Sequence, residues 1–366
     1  MCAWEGSNLR PQSYQDCVLP LNYTRIFFDF NTFMPKIKVG VLRGGPSAEY
    51  EISLLTGENV LKHLPKDKYE VHDLLWTKDG VLHQDGFPKH PPKIFKSVDV
   101  VFNALHGEYG EDGRVQQELE LHAVPYTGSG ILASAVAMKK HLAKDIFAAY
   151  LASLAPEERE KSGLKTPRGT VVLKENDLEK NIQEITKIVP PFWAVKPNGR
   201  GSSVGTTIAR SSPELLAGLI KAFSYDQKAL VEEYIEGREA TCGVLENFRG
   251  EKHYALPVIE IVPPDGRFFD YEVKYSGETR EICPGRFDRE TSQKLQTAAI
   301  LAHQVLGCRH YSRSDFIISP KRGIFTLETN TLPGLTSQSL LPKAAEAVGL
   351  SFPKLLDHLV SLAFQH

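Results

Sequence analysis

From Lys36 onward the chain alternates short apolar, strand-like runs with longer mixed segments that read as helices. The first strand covers residues 37–42. It leads through Gly44 and Gly45 into a helix over about 49–63, and a second strand follows over 69–77. Another strand over 98–105 passes through a glycine-rich segment, 106–113, into a helix ending near 122. This alternation predicts a parallel α/β sheet whose ligands sit at the carboxyl ends of the strands, where both glycine turns fall. One long helix is expected over 134–154, and the polar run 156–163 reads as a domain border. Beyond it, 166–245 reads as a small α+β domain with strands near 169–173, 192–196, 205–209 and 229–234. The remainder, 252–366, holds a β-hairpin and closes with amphipathic helices. Internal repeats and low-complexity tracts are not evident.

At 366 residues the chain is too long for one ordinary core, so several domains are expected. The expected partition is a loosely ordered extension over 1–33, an N-terminal α/β domain over 34–133, a central domain over 134–245 and a C-terminal domain over 246–366. The first 33 residues contain Trp4 and other aromatics without a clear period. Asp16, Asn22, Arg25 and Asp29 interrupt any apolar stretch of the kind a signal peptide needs, which makes Met34 a candidate natural start.

A net charge of −2 gives no global attraction to nucleic acid or to acidic membranes, so any anion site must be local. No run of about 18 apolar residues is present that could span a bilayer. Five scattered cysteines without a Cys-x-x-Cys pair point to free thiols and a reducing cytoplasm.

The densest candidate chemistry lies in the hairpin. Two β-rich runs, 312–319 and 323–330, flank the turn residues Pro320, Lys321, Arg322 and Gly323. Folding about Lys321 and Arg322 sets Asp315 opposite Glu328 and Arg313 opposite Asn330, with all four on one face because strand positions i and i+2 share a side. Two carboxylates and an amide are all-oxygen ligands suited to Mg²⁺ or Mn²⁺ beside phosphates. Taken alone, the pattern also fits a charged surface hairpin. Lys196-Pro-Asn-Gly-Arg-Gly-Ser-Ser-Val-Gly205 ends a strand and opens a Gly- and Ser-rich turn able to aim backbone N–H groups at an anion. It lacks the Walker ending and the dinucleotide glycine spacing, so a phosphate-covering loop between two strands fits it better. Glu232-Glu-Tyr-Ile-Glu-Gly-Arg-Glu239 places acids beside an aromatic where the chain leaves a strand, suited either to a nucleoside or to an acidic surface turn.

Further motifs join these in one order along the chain: Gly44-Gly-Pro-Ser-Ala-Glu49, Leu105-His-Gly107 with Gly110-Glu-Asp-Gly113, Pro125-Tyr-Thr-Gly-Ser-Gly130, Val195-Lys-Pro197, Asp270-Tyr-Glu-Val-Lys-Tyr275, Arg313-x-Asp315, Glu328-Thr-Asn-Thr-Leu-Pro-Gly334 and Ser337-Gln-Ser-Leu340. From about Met34 to the C-terminus the chain thereby resembles the D-alanine:D-alanine ligases of the ATP-grasp superfamily. The resemblance implies a three-domain ATP-grasp architecture, α/β and α+β, with a parallel α/β domain first. It implies ATP held between the central and C-terminal domains. Lys140 and Lys196 would touch its phosphates under the loop containing Ser202, Glu232, Tyr234, Ile235 and Glu239 would hold adenine and ribose, and Lys274 would enter from a closing lid. Asp315, Glu328 and Asn330 match the ligands of two Mg²⁺ or Mn²⁺ ions. Glu49 and His106 match the pocket of the first D-alanine, Arg313 and the Gly334 N–H the reacting carboxylate, and Ser339 and Leu340 the second D-alanine's carboxylate. Tyr275, Ser202 and Glu49 match a hydrogen-bonded link between lid and pocket.

Lys274-Tyr275 favours a dipeptide product over D-alanyl-D-lactate, with D-serine an alternative second substrate. The resemblance also implies a cytoplasmic homodimer acting in cell-wall precursor synthesis, without nucleic-acid or membrane partners. Its rivals are another ATP-grasp ligase, a non-catalytic relative of a kind that usually loses a metal ligand or the arginine, all of which are intact here, and a nicotinamide-dependent oxidoreductase, which the glycine pattern disfavours. Departures from the family pattern are Lys139 before Lys140, Arg200 in the glycine loop, Cys283-Pro-Gly-Arg286 after the lid, and a long 151–164 stretch.

Overall fold

The first sheet of the computed structural model is laid down by β1 (Ile37–Gly44) and β2 (Tyr69–Trp76), joined in parallel through α1 (Tyr50–His63). The structure describes residues 35–175, 177–201, 204–264 and 279–365. The expected N-terminal extension lies outside that set, and Lys36–His366 form one compact unit. After β2 come β3 (Leu82–Gln84), β4 (Phe87–Pro88) and the short α2 (Pro91–Phe95), then β5 (Val100–Asn103), giving the order β4-β3-β2-β1-β5. The parallel expectation holds for β2, β1 and β5, whereas β3 and β4 add an antiparallel edge. β3 and β4 are too short for a period-two pattern to register.

α3 (Arg114–Leu121) precedes α4 (Ile131–Met138) and α5 (Lys140–Ser153). The single helix expected over 134–154 is therefore two. Lys139 takes an extended conformation between them, and the chain turns so that Lys140 N donates to Asn198 O at 3.1 Å. No Gly or Pro marks this break, because a contact distant in sequence makes it. The presumed border at 156–163 is also a helix in part, α6 (Pro156–Lys161), with Pro156 at its start, Glu157 and Glu158 in its first turn and Arg159 and Lys161 in its last. Those charges complement the helix dipole. Leu151 and Leu164 at the ends of this stretch pack with Phe147, Ala302 and Leu306, which gives the long segment a core-covering role.

The second sheet is antiparallel, with β6 (Gly169–Leu173) and, after α7 (Leu178–Ile188), β7 (Trp193–Pro197), β8 (Thr207–Ala209) and, beyond α8 (Ser212–Phe223), β9 (Lys228–Glu233), in the order β6-β9-β7-β8. α8 is well delimited in sequence. Ser211 caps it by accepting from Glu214 N, and a proline enters its first turn.

The third sheet is built from β10 (Arg238–Phe248), β11 (Glu251–Ala255), β12 (Ile259–Val262), β13 (Arg280–Ile282), and, after α9 (Arg289–Val305), β14 (Tyr311–Ser319) and β15 (Gly323–Asn330). Its order is β13-β12-β10-β14-β15, with β11 beside β10. α10 (Leu340–Ala347) and α11 (Phe352–Ala363) end the chain. Leu355, Leu356, Leu359 and Val360 of α11 are wholly buried in the core that holds Val39, Val41, Val100 and Phe102 of the first sheet. At about 1.5–3 kcal/mol for each such side chain, this packing fixes the substrate-side loops of the first sheet against the C-terminal segment. Lys68 and Tyr69 reinforce it through Asp357, each at 2.7 Å.

Candidate active site

β14 and β15 pair in the register their sequence predicts, Arg313 opposite Asn330 and Asp315 opposite Glu328, with a shift in register between Asp315 and Phe316. Directly opposed strand residues hold their Cβ atoms about 5 Å apart, close enough for both carboxylates to meet one cation. Arg313 grips Asp315 through two bonds, Nε to Oδ1 and Nη2 to Oδ2, both 2.9 Å. Thr241, the β10 partner of Asp315, donates to Oδ1 at 2.5 Å, and Asn330 Nδ2 lies 3.4 Å from Oδ2. The Asn330 amide is assigned from its bonding partners, and turning it over presents its oxygen to a cation instead. Lys140, first residue of α5, places Nζ 3.0 Å from Glu328 Oε2 and donates to Arg200 O at 2.6 Å.

A slot of about 110 Å³ separates the second and third sheets. Its buried acid, Glu232, is 1% exposed and lies between two lysines, with Lys144 Nζ at 2.5 Å and Lys196 Nζ at 2.9 Å. Burial opposes all three charges. The two ammonium groups nevertheless hold Glu232 below the usual carboxylate range, and Glu232 raises Lys196, while burial, aided by Lys196, leaves Lys144 lowered. Glu232, expected to reach adenine and ribose, lines the slot with its carboxylate between these lysines. Tyr234, Ile235 and Glu239 also line the slot. Glu239 is pushed up to about 7, first by burial and then by the charge of Asp315. This surplus negative potential, together with an all-oxygen donor set, fits a divalent cation at Asp315, Glu328 and Asn330.

A larger cleft of about 580 Å³ opens beside the slot and contains Glu49, His106, Arg313, Gly334, Ser339 and Leu340. Glu49 occupies the cap position of α1, and its Oε1 packs against the glycine loop so closely that a Cβ on Gly201 would fall 2.9 Å from it. Gly107, at φ +73°, leaves equally little room, since a Cβ there would meet Ser47 Oγ at 2.5 Å. His106 is 4% exposed, with Nε2 2.9 Å from Thr56 Oγ1 and Nδ1 3.5 Å from Glu111 Oε1. Ser339 accepts from Thr336 N at 3.0 Å and occupies the N-cap position of α10 without a side-chain capping bond, and both it and Leu340 line the cleft, so a helix N-terminus suited to a carboxylate lies at its edge. Lys140, Arg313 and Glu328 line both cavities and form the wall where they meet.

Ser202, Lys274 and Tyr275 lie outside the described residues. Sequence reasoning missed Lys144, one helical turn after Lys140, and Thr241, opposite Asp315. It also missed Glu281, which lines the larger cleft and pairs with Lys343 at 2.5 Å. The spacing of Lys140 and Lys144 was the one usable signal, since residues four apart share a helix face.

A slot between two antiparallel sheets, opening onto a second cleft under a preceding α/β unit, is the architecture of ATP-grasp ligases. Family models for the D-ala D-ala ligase C-terminus and N-terminus match residues 160–361 and 81–129. Curated D-alanine–D-alanine ligases are close in sequence. That of Syntrophobacter fumaroxidans is 41% identical over 342 residues, covering 90% of this chain and 98% of the relative, and that of Halalkalibacterium halodurans is 40% identical over 332 residues, covering 90% and 100%. The chain belongs to the D-ala D-ala ligase family. Among solved structures, the VanG D-Ala:D-Ser ligase from Enterococcus faecalis superposes with a TM-score of 0.75 at 30% identity, covering 90% of this chain and 99% of that one. The D-alanine–D-alanine ligase from Bacillus anthracis complexed with ATP gives 0.73 at 30%, covering 90% and 98%. No helix among the described residues is long and apolar enough to cross a membrane.

Proposed function

We infer that the protein is a D-alanine:D-alanine ligase, joining two D-alanines at the expense of ATP and supplying the dipeptide for peptidoglycan precursor synthesis. The observation that carries this reading is the shared wall of Lys140, Arg313 and Glu328, which sets a nucleotide slot and an amino-acid cleft end to end. A carboxylate is inert to amines and must first be activated. In the proposed sequence, one oxygen of the first D-alanine's carboxylate attacks the γ-phosphorus and ADP departs, leaving D-alanyl phosphate. The free amine of the second D-alanine then attacks the acyl carbon. The tetrahedral adduct expels phosphate as the nitrogen loses its proton.

Phosphoryl transfer is mainly positioning and charge neutralisation, and Lys140 and Lys196 would hold the phosphate chain. Asp315, Glu328 and Asn330 would hold two Mg²⁺ or Mn²⁺ ions, which supply charge neutralisation at the phosphates when bound. Arg313 and the Gly334 N–H would receive the developing oxyanion. Glu49 would hold the first substrate's ammonium beside His106, and Ser339 with the α10 N-terminus would hold the second substrate's carboxylate. Glu232, Tyr234, Ile235 and Glu239 would hold the nucleoside, with Ser202, Lys274 and Tyr275 covering it. A three-domain division, a homodimer and a cytoplasmic location complete the proposal.

Purified protein given ATP, Mg²⁺ and D-alanine is expected to release phosphate and form D-alanyl-D-alanine, with D-serine and D-lactate poorer second substrates. Absence of phosphate release above background would sink the ligase reading, and faster turnover with D-serine would reassign the product.

Glu239 supplies a pH signature. Its carboxyl is raised to about 7, so a proton competes with any ligand that needs the ionised form. Ionisation rises as pH rises, so the KM for ATP is expected to fall roughly tenfold between about pH 6 and 8. Glu239→Gln should flatten the profile. A profile unchanged by that substitution would remove Glu239 from nucleotide binding.

A further inference from the structure

The side of the third sheet turned away from both cavities carries a second group of ligand-type side chains. Along β10, Thr241 faces Asp315 and the slot, whereas Ala240, Cys242 and Val244 pack against Leu295, Ala298 and Ala299 of α9. Glu246 continues the latter face by the period of two. There it meets His253 of β11 and His303 of the last turn of α9, and one ligand atom from each lies within 4.8 Å of the other two. Glu246 Oε1 is 3.4 Å from His303 Nε2 and 3.9 Å from His253 Nε2.

The surroundings already orient these groups. His303 Nδ1 lies 2.7 Å from Ser312 Oγ, and His253 Nδ1 lies 3.0 Å from Gln304 Nε2. With Nδ1–H donated to the Ser312 hydroxyl, His303 turns an Nε2 lone pair toward Glu246, and His253 does the same when the Gln304 amide is turned over so that its oxygen accepts from Nδ1–H. The other carboxylate oxygen of Glu246 accepts from His310 N at 2.7 Å, which fixes the third donor. Zinc bonds of about 2.0–2.2 Å in a tetrahedron put ligand atoms roughly 3.4 Å apart, so three atoms already within 4.8 Å of one another need close by no more than about 1.4 Å at the widest pair.

We propose that Glu246, His253 and His303 bind a divalent transition-metal ion, Zn²⁺ foremost, with water completing the tetrahedron. Two imidazoles and one carboxylate suit zinc and disfavour Mg²⁺, which prefers all-oxygen octahedra. The ion pins the β10–β11 hairpin to α9, behind the strands that carry Thr241 and Asp315, so its role is structural. His303 is wholly buried, but His253 is 13% exposed on a strand paired only to β10, and its replacement leaves the core in place.

The test compares the chelator-stripped full chain with His253→Gln and Asp315→Asn, each equilibrated with Zn²⁺ in excess Mg²⁺ and then desalted. The wild type and Asp315→Asn are expected to retain one more zinc per chain than His253→Gln, and only those two should gain Tm. His253→Gln should weaken zinc binding by about 100-fold or more, the scale on which even outer-shell partners act. In crystals, anomalous scattering at the zinc edge should peak among the three side chains. Equal zinc content and Tm response in His253→Gln and wild type, or an anomalous peak confined to Asp315 and Glu328, would overturn the proposal.

Discussion

Arg313→Ala is expected to lower kcat by about 10²–10³-fold or more with little change in secondary structure, because loss of one oxyanion donor raises a barrier by roughly 3–4 kcal/mol. The guanidinium sits on β14 with 12% of its side chain exposed, where the slot and the cleft meet. It has two roles there. It neutralises Asp315 through a two-bond fork, and it is the strongest donor on the wall that the reacting carboxylate would face. Arg313→Lys keeps the charge but loses the planar fork, and it should recover only part of the rate. Asp315 retains its bond from Thr241 in both variants, which limits the structural penalty. Steady-state phosphate release, read beside a thermal melt, separates the effects. A kcat within a few-fold of wild type in a folded Arg313→Ala protein would exclude the arginine from the chemistry.

Asp315, Glu328, Arg313 and Asn330 were legible in sequence because a hairpin turns spacing into register. Once Pro320–Arg322 are read as the turn, period-two alternation fixes both the partner of each residue and the face it occupies. The first βαβ unit was legible for the same reason, since the repeat of apolar runs carries its own geometry. Contacts between elements distant in sequence were not. The break at Lys139 exists because Lys140 and His141 bond to Asn198, and a window around Lys139 holds no sign of it. Likewise, the enclosure of Glu232 depends on α5 lying over β9. The two lysines beside the acid, Lys144 at 2.5 Å and Lys196 at 2.9 Å, come from elements that no window around Glu232 contains. Burial of the first sheet by α11 joins residues some 300 positions apart, which no local pattern encodes. Motif resemblance reached further than periodicity because it imports such long-range pairings. That is how Glu49 and Ser339 were placed together before any geometry supported it.

The enclosure of Glu232 leads to the largest expected change in stability. Glu232→Gln removes the carboxylate that lies between Lys144 and Lys196 and sets an amide against two ammonium groups, with one oxygen to accept from both and an NH₂ that repels them. Breaking a buried ion pair by removing one partner typically costs about 3–5 kcal/mol, which for a chain of this size lowers Tm by roughly 4–7 °C. The pH dependence gives the cause a signature. Lys144 is already lowered from its ordinary value by burial, and without Glu232 it falls further below its unfolded value. The folded variant then binds fewer protons than the unfolded chain, so its stability rises with pH up to the unfolded lysine pKa near 10.4. The Tm gap between wild type and Glu232→Gln should therefore narrow from pH 6 to 9. Adding Lys144→Met, which removes one of the two charges at similar volume, should restore much of the lost Tm. A gap that is independent of pH and unrelieved by Lys144→Met would mean that charge burial at this triad does not hold the second sheet against α5.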